Sequence, residues 1–198
     1  MSRPQQFDRD NVLDSALMVF WLKGYEAASI QDLVDATGLN RGSLYNSFGD
    51  KAELFAAVMQ RYRDASPTKP LTDAARDAKS DVNMRTLIVT FFQDLTKRAL
   101  NDPEHKGCLL TNTSAGFYGC SDTMAGWVRE TLSGLENTLT TLVERGQKRG
   151  DITSHAKTRA IARSLLASAQ GLNVLARSGA SAQALKDIAA QAVRVLDR

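Results

Sequence analysis

The chain has 198 residues, 43% of them hydrophobic and 24% charged, with a formal net charge of +3. That is enough for one or two compact domains with a real core, and no run approaches the roughly 18 apolar residues that span a bilayer. The net charge does not mark a nucleic-acid-binding part: residues 1–63 hold seven Lys/Arg and eight Asp/Glu, whereas residues 140–198 hold ten and four. Two cysteines, Cys108 and Cys120, fit a reducing cytoplasm and argue against a disulfide framework. The opening MSRPQQFDRD has no apolar stretch, so no signal peptide is expected there.

Taken in chain order, the residues predict helices and loops only. A first helix spans 9–23, with Leu13, Ala16, Leu17 and Phe20 inward, and Gly24 stops it. Ile30, Leu33 and Val34 form the apolar face of a second helix, which Gly38 ends in a left-handed conformation. Asn40 then caps a third helix over 41–47. Leu44 and Phe48 point inward, while Arg41, Gly42, Ser43, Tyr45 and Asn46 point outward. The hinge Gly38-Leu39-Asn40 suits a helix-turn-helix whose second helix enters a major groove. Gly42 permits close backbone approach, and the polar groups beside it can donate to phosphates and base edges. The expected DNA-contacting set is Ser29, Gln31, Arg41, Gly42, Ser43, Tyr45, Asn46 and Lys51, aided by the free N–H groups at helix N-termini. Asp50 caps a fourth helix that carries Leu54, Phe55 and Val58 to about residue 63.

Residues 64–80 hold two of the four prolines and little large apolar content, so they read as a connector with at most a short helical turn. A second domain follows. Helices are expected over 82–101, broken by Asp102-Pro103, then over 107–115, and from 121 or 122 to 149, ended by Gly150. Residues 116–119 form a loop. The last two helices span 155–177 and 181–196. One carries a stripe of Ile161, Leu165, Ala169, Leu172 and Leu175 or Ala176; the other carries Leu185, Ile188, Ala189, Ala192 and Leu196. Such stripes can pack inside one chain or pair with their copies as a four-helix interface.

Cys108 sits in His105-Lys106-Gly107-Cys108 at the start of a predicted helix. It is either a small core residue or a thiol activated by the helix N-terminus and Lys106. Cys120 reads as a loop thiol. His105, Cys108, Cys120 and His155 lack paired-ligand spacing, so neither a metal nor a cofactor is expected. Phe91, Phe92, Cys108, Asn112, Phe117, Trp127 and Asn173, with Tyr118, read singly as core and collectively as a mostly apolar small-molecule cavity. No nucleophile elbow or phosphate-binding loop occurs, and neither histidine has an evident orienting acid. The alternative to a DNA-binding regulator, a cysteine-dependent enzyme with an accessory helical head, therefore lacks its base.

Gly24-Tyr25 with Ser29, then Leu39 through Tyr45, Phe48, Lys51 and Leu54, resemble the DNA-binding domain of TetR-family transcriptional repressors over about residues 9–60. Two departures stand out. Gly49-Asp50 replaces a common proline-serine pair, and Asn46 replaces a frequent histidine or tyrosine, which alters the DNA sequence read rather than DNA binding itself. The segment Lys106-Gly107-Cys108-Leu109-Leu110 resembles the surroundings of the sensing cysteine in the N-ethylmaleimide reductase repressors, an electrophile-responsive branch of that family. The resemblance implies an all-α fold with a three-helix DNA-binding head over 1–63 and a C-terminal helical bundle over 64–198 for effector binding and dimerisation. It implies a cytoplasmic homodimer, paired through the last two helices. The dimer binds a palindromic double-stranded operator and is released by a small-molecule or electrophile effector.

Overall fold

The computed structural model describes residues 7–115 and 122–197, so Phe117, Tyr118 and Cys120 lie outside the described residues. The chain divides into two compact units, one up to Ser66 and one from Pro67. Among the described residues every regular element is helical.

The N-terminal unit contains α1 (Arg9–Lys23), α2 (Ile30–Thr37), α3 (Arg41–Phe48) and α4 (Lys51–Asp64). Asp8 caps α1 by accepting from the backbone N–H groups of Asp10 and Asn11. The buried face of α1 is Val12, Leu13, Ala16 and Phe20; Val12 takes the place expected of Leu17, which is half-buried. This face packs against α2 and α4. Gly24 (φ 78°) turns the chain so that Tyr25 folds back onto the core. There the rings of Phe20, Tyr25 and Phe55 meet, with Phe20 edge-on to Phe55 at 4.9 Å and Tyr25 edge-on to Phe55 at 5.1 Å. Arg61 of α4 forks onto Asp14 of α1, Nε to Oδ1 at 2.5 Å and Nη2 to Oδ2 at 2.6 Å.

The C-terminal unit contains α5 (Lys69–Arg76), α6 (Met84–Leu100), α7 (Leu109–Ala115), α8 (Asp122–Arg149), α9 (Thr158–Arg177), α10 (Ala182–Val193) and a closing 3₁₀ turn, Arg194–Leu196. The supposed connector thus holds the whole helix α5. Pro70 falls in its first turn, where a missing N–H is harmless, and Leu71 and Ala74 are buried against α8. Its last turn is capped from a distance. Arg145 of α8 donates to the carbonyls of Ala74, Ala75 and Asp77 at 2.8, 2.8 and 3.0 Å.

Other boundaries move for the same reason. Helix α6 begins at Met84, because Asn83 caps it and Asp151 accepts from both Asn83 Nδ2 and the Met84 N–H at 3.0 Å. Helix α9 begins at Thr158, three residues later than the pattern suggested. Its lead-in is pinned to the chain end, where the Leu196 carbonyl accepts from the Thr153 and Ser154 N–H groups at 3.1 Å. Residues 194–196 form a 3₁₀ turn, closed by the Asp197 N–H on the Arg194 carbonyl at 3.1 Å.

The core joins α6, α8, α9 and α10 through Ile88, Phe92, Leu142, Leu165, Leu172 and Leu185. This corrects the reading of the last two helices as a self-pairing stripe. Ile161, Leu165, Leu172, Leu185 and Leu196 are each 0–2% exposed within a single chain, so the stripe is an intramolecular core. The face of α9 left outside carries Val174 and Leu175 instead, 48% and 42% exposed.

Leu172→Ala should therefore destabilise the chain itself, by about 2–5 kcal/mol, as expected for a fully buried leucine. Urea unfolding followed by circular dichroism checks this; an unchanged midpoint at an unchanged slope would contradict the assignment.

Candidate DNA-binding interface

The hinge and the caps fix α3. Gly38 adopts φ 69° and its N–H returns to the Val34 carbonyl, ending α2. Thr37 Oγ1 donates to the Leu33 carbonyl at 2.6 Å, which holds the same turn. Asn40 Oδ1 accepts from the Ser43 N–H at 2.8 Å and starts α3. Leu44 and Phe48 are 3% and 6% exposed, which seats one side of α3 on the core. Arg41, Gly42 and Asn46 are exposed on the other side, with Ser43 and Tyr45 half-buried between. The Arg41 guanidinium lies 5.5 Å from the centre of the Tyr45 ring, so the two outward side chains brace each other. A Cβ on Gly42 would meet nothing closer than Asn40 Oδ1 at 3.4 Å, so the chain itself leaves that stretch of backbone open.

Lys51, in the first turn of α4, rests over the Tyr25 ring at 4.6 Å and donates to the Glu26 carbonyl at 3.4 Å. Tyr25 thus serves both the aromatic core and the placement of a cation. Asp50 and Glu53 close a capping box at the head of α4.

Two expected donors are already engaged. Ser29 Oγ accepts from the Asp32 N–H at 3.1 Å and Asp32 Oδ2 accepts from the Ser29 N–H at 2.9 Å, forming the capping box of α2, and the Ser29 hydroxyl also donates to Asp32 Oδ2 at 2.8 Å. Its proton is therefore committed. Gln31 Nε2 donates to Asp35 Oδ1 at 2.7 Å along the exposed side of α2. Asp32 also receives Lys23 Nζ at 2.6 Å, tying the end of α1 to the start of α2. These hydrogen bonds, from Lys23 first and then from the Ser29 backbone and side chain, pull the Asp32 carboxyl down to about 2.

Sequence reasoning missed Arg9. Its Nη1 donates to the Ser47 carbonyl at 3.1 Å, and its guanidinium lies 4.4 Å from the centre of the Phe48 ring. It meets the C-terminal turn of α3, where exposed carbonyls favour a cation. No spacing rule links residues 38 positions apart.

In the C-terminal unit, Cys108, Asn112 and Asn173 gather around the Gly107 turn. Asn112 Nδ2 donates to the Lys106 carbonyl at 2.7 Å, and Arg177 Nη1 to the same oxygen at 3.3 Å. Gly107 (φ 67°) lies so close to α9 that a Cβ would stand 3.3 Å from the Asn173 carbonyl. Cys108 is half-buried at the head of the seven-residue α7. The cation expected to favour its thiolate is already taken, because Lys106 Nζ bonds Asp102 at 2.8 Å and Glu104 at 2.7 Å. Phe91 and Phe92 belong to the core of α6, their rings 5.2 Å apart, and Trp127 is half-buried on α8. Among the described residues no three His, Cys, Asp or Glu side chains are grouped to hold a metal, and no helix is long and apolar enough to cross a membrane.

Residues 12–58 match the bacterial regulatory proteins of the tetR family, and residues 86–192 match the tetracyclin repressor-like C-terminal domain. The chain belongs to the TetR family. It is a DNA-binding transcriptional regulator and not an enzyme. This TetR-family chain is 33% identical over 193 residues to the HTH-type transcriptional repressor ComR of Escherichia coli, covering 98% of this chain and 90% of that one. Its fold superposes on the TetR family regulator CifR, a cysteine mutant solved with 26-bp double-strand operator DNA, with a TM-score of 0.82 at 26% identity over 97% of this chain and 98% of the other. The reduced form of E. coli NemR shares the fold, with a TM-score of 0.76 at 22% identity over 94% and 96% of the two chains.

The depressed Asp32 carboxyl gives the head a defined acid sensitivity. A carboxyl lower in the folded than the unfolded state contributes stability that is complete above the unfolded value of about 4, and that is lost as pH falls toward 2. Asp32→Asn should remove that part of the acid dependence and lower the melting temperature at pH 7. Melting curves of both proteins from pH 7 to pH 2 check it; parallel acid profiles would show that Asp32 carries none of the dependence.

Proposed function

We propose that this TetR-family regulator is a cytoplasmic repressor that binds a palindromic operator as a homodimer. The observation that carries the reading is the outer face of α3. Two exposed turns offer Arg41, Gly42, Ser43, Tyr45 and Asn46, while the opposite side is sealed by Leu44 and Phe48. Arg41 reads a base edge or a phosphate, Tyr45 and Lys51 hold phosphates, and the N-terminus of α4 adds its own N–H groups. Ser29 and Gln31 contribute once their bonds to Asp32 and Asp35 rearrange. The operator DNA bound to CifR supports the same partner for this chain.

One head reads only a few base pairs, so a two-fold pair spaced for successive major grooves about 34 Å apart supplies useful affinity. The surface suited to pairing is the exposed side of α9. Ala160, Ser164, Ala167, Gly171, Val174 and Ser178 follow one another at three- and four-residue steps, with Leu175 beside them. Small residues there permit close helix approach, and the two large apolar side chains give it a centre.

Release follows when an effector favours a dimer whose recognition helices no longer match the groove spacing. A ligand shifts that balance only by its differential affinity for the two states, typically about 1–3 kcal/mol. The effector binds the C-terminal unit beside the Gly107 turn, at Asn112 and Asn173, or modifies Cys108 covalently.

Arg41→Ala should weaken operator binding by about 1–3 kcal/mol and relax its specificity, whereas Lys51→Ala weakens all DNA alike and flattens the salt dependence. Gel-shift titrations at several salt concentrations measure this, on operator and random duplex, with N-ethylmaleimide-treated wild type and Cys108→Ser as further arms. Equal operator affinity in wild type and both variants would refute the interface. Leu175→Glu, on the exposed side of α9, should stay folded but sediment as a monomer with weakened operator binding. A dimeric Leu175→Glu would place the pairing surface elsewhere.

A further inference from the structure

Between α6 and α10 runs a groove of about 580 Å³. That volume lies within the roughly 300–1,000 Å³ of small-molecule sites. It is separate from the Gly107 turn, where the cysteine and its amide neighbours gather. The floor is apolar, built from Phe92, Leu100, Ala189 and Val193. Phe92 is 1% exposed, so the floor is firm. The rim is polar. Gln93, Lys97 and Asn101 follow one another at four-residue steps along the edge of α6, and Lys186 stands on the edge of α10. Among the described residues no aspartate or glutamate lines the groove.

Several cations elsewhere in the unit lie against carboxylates: Arg85 on Asp197, Lys106 on Asp102 and Glu104, Lys148 on Glu144, Arg163 on Glu136. At the groove two ammonium groups flank an apolar floor with no acid among the lining residues. A neutral hydrocarbon would use the floor and leave both charges idle. An inorganic anion would use the charges and leave the floor wet. A molecule that joins one anionic head to an apolar body uses both, with the head between Lys97 and Lys186 and the body over Phe92 and Val193.

We propose that the α6–α10 groove is a binding site for organic carboxylates with an alkyl or aryl body. The site does not depend on operator binding, so either assignment stands or falls without the other.

Isothermal titration of the full chain with octanoate, and with 1-octanol as its uncharged counterpart, tests the proposal. Octanoate should bind once per chain and more tightly than 1-octanol. The double variant Lys97→Gln/Lys186→Gln should weaken octanoate about tenfold and leave 1-octanol unchanged. Ala190→Trp, at an exposed position on the groove wall, should block both ligands while its melting temperature stays that of the wild type. Absence of saturable octanoate binding overturns the proposal, as does binding indifferent to the lysines or to Ala190→Trp. It also fails if Ala190→Trp turns a ligand-free dimer into a monomer and octanoate does not bind the wild type, because a second copy of the chain then covers the groove.

Discussion

An eight-residue helix does not hold itself together in water. The recognition helix α3 is that short, and so is α2 before it. Everything the head presents to DNA depends on interactions that stabilise two turns of helix from outside. Leu44 and Phe48 anchor α3 to the core, Asn40 accepts from the Ser43 N–H in its first turn, and Arg9 donates to the Ser47 carbonyl in its last. A rigid outer face is the result, and the residues that create it are mostly not those that would touch DNA.

The same economy shapes the polar surface of the head. Its acidic residues outnumber its basic ones, yet several of the acids are occupied: Asp14 with Arg61, Asp32 with Ser29 and Lys23, Asp50 and Glu53 with each other's N–H groups. Carboxylates bound in this way set the angles between helices. Arg41 is braced on Tyr45 and Lys51 on Tyr25, both at the surface that faces outward. Local placement of charge therefore matters more than the sum.

In the C-terminal unit, helix ends are satisfied by partners far along the chain. Arg145 completes α5, Asp151 holds the start of α6, and the Leu196 carbonyl pins the approach to α9. These bonds knit the unit together where its helices are weakest. They also leave α9 with two distinct faces: a large-residue face sealed inside the chain and a small-residue face left outside.

The hinge Gly38-Leu39-Asn40, the inward pair Leu44 and Phe48, and the caps Asn40 and Asp50 were legible in the sequence. They are local: a cap and its N–H group lie within three residues, and a helical face repeats every three or four. The all-helical fold class followed from the same periodicity. The clamp of Arg9 on Ser47, the cap of Arg145 on α5 and the engagement of Lys106 by Asp102 and Glu104 needed the folded chain. The first two join residues 38 and about 70 positions apart, and the third depends on the particular path of the turn after α6. The apolar stripes of α9 and α10 show the limit most plainly. Periodicity identified most of the buried residues, with Ile188 only half-buried and Ala176 rather than Leu175 facing inward, but only the tertiary packing decided that Leu172 is buried by its own chain, because burial by self or by a copy requires the same side chains.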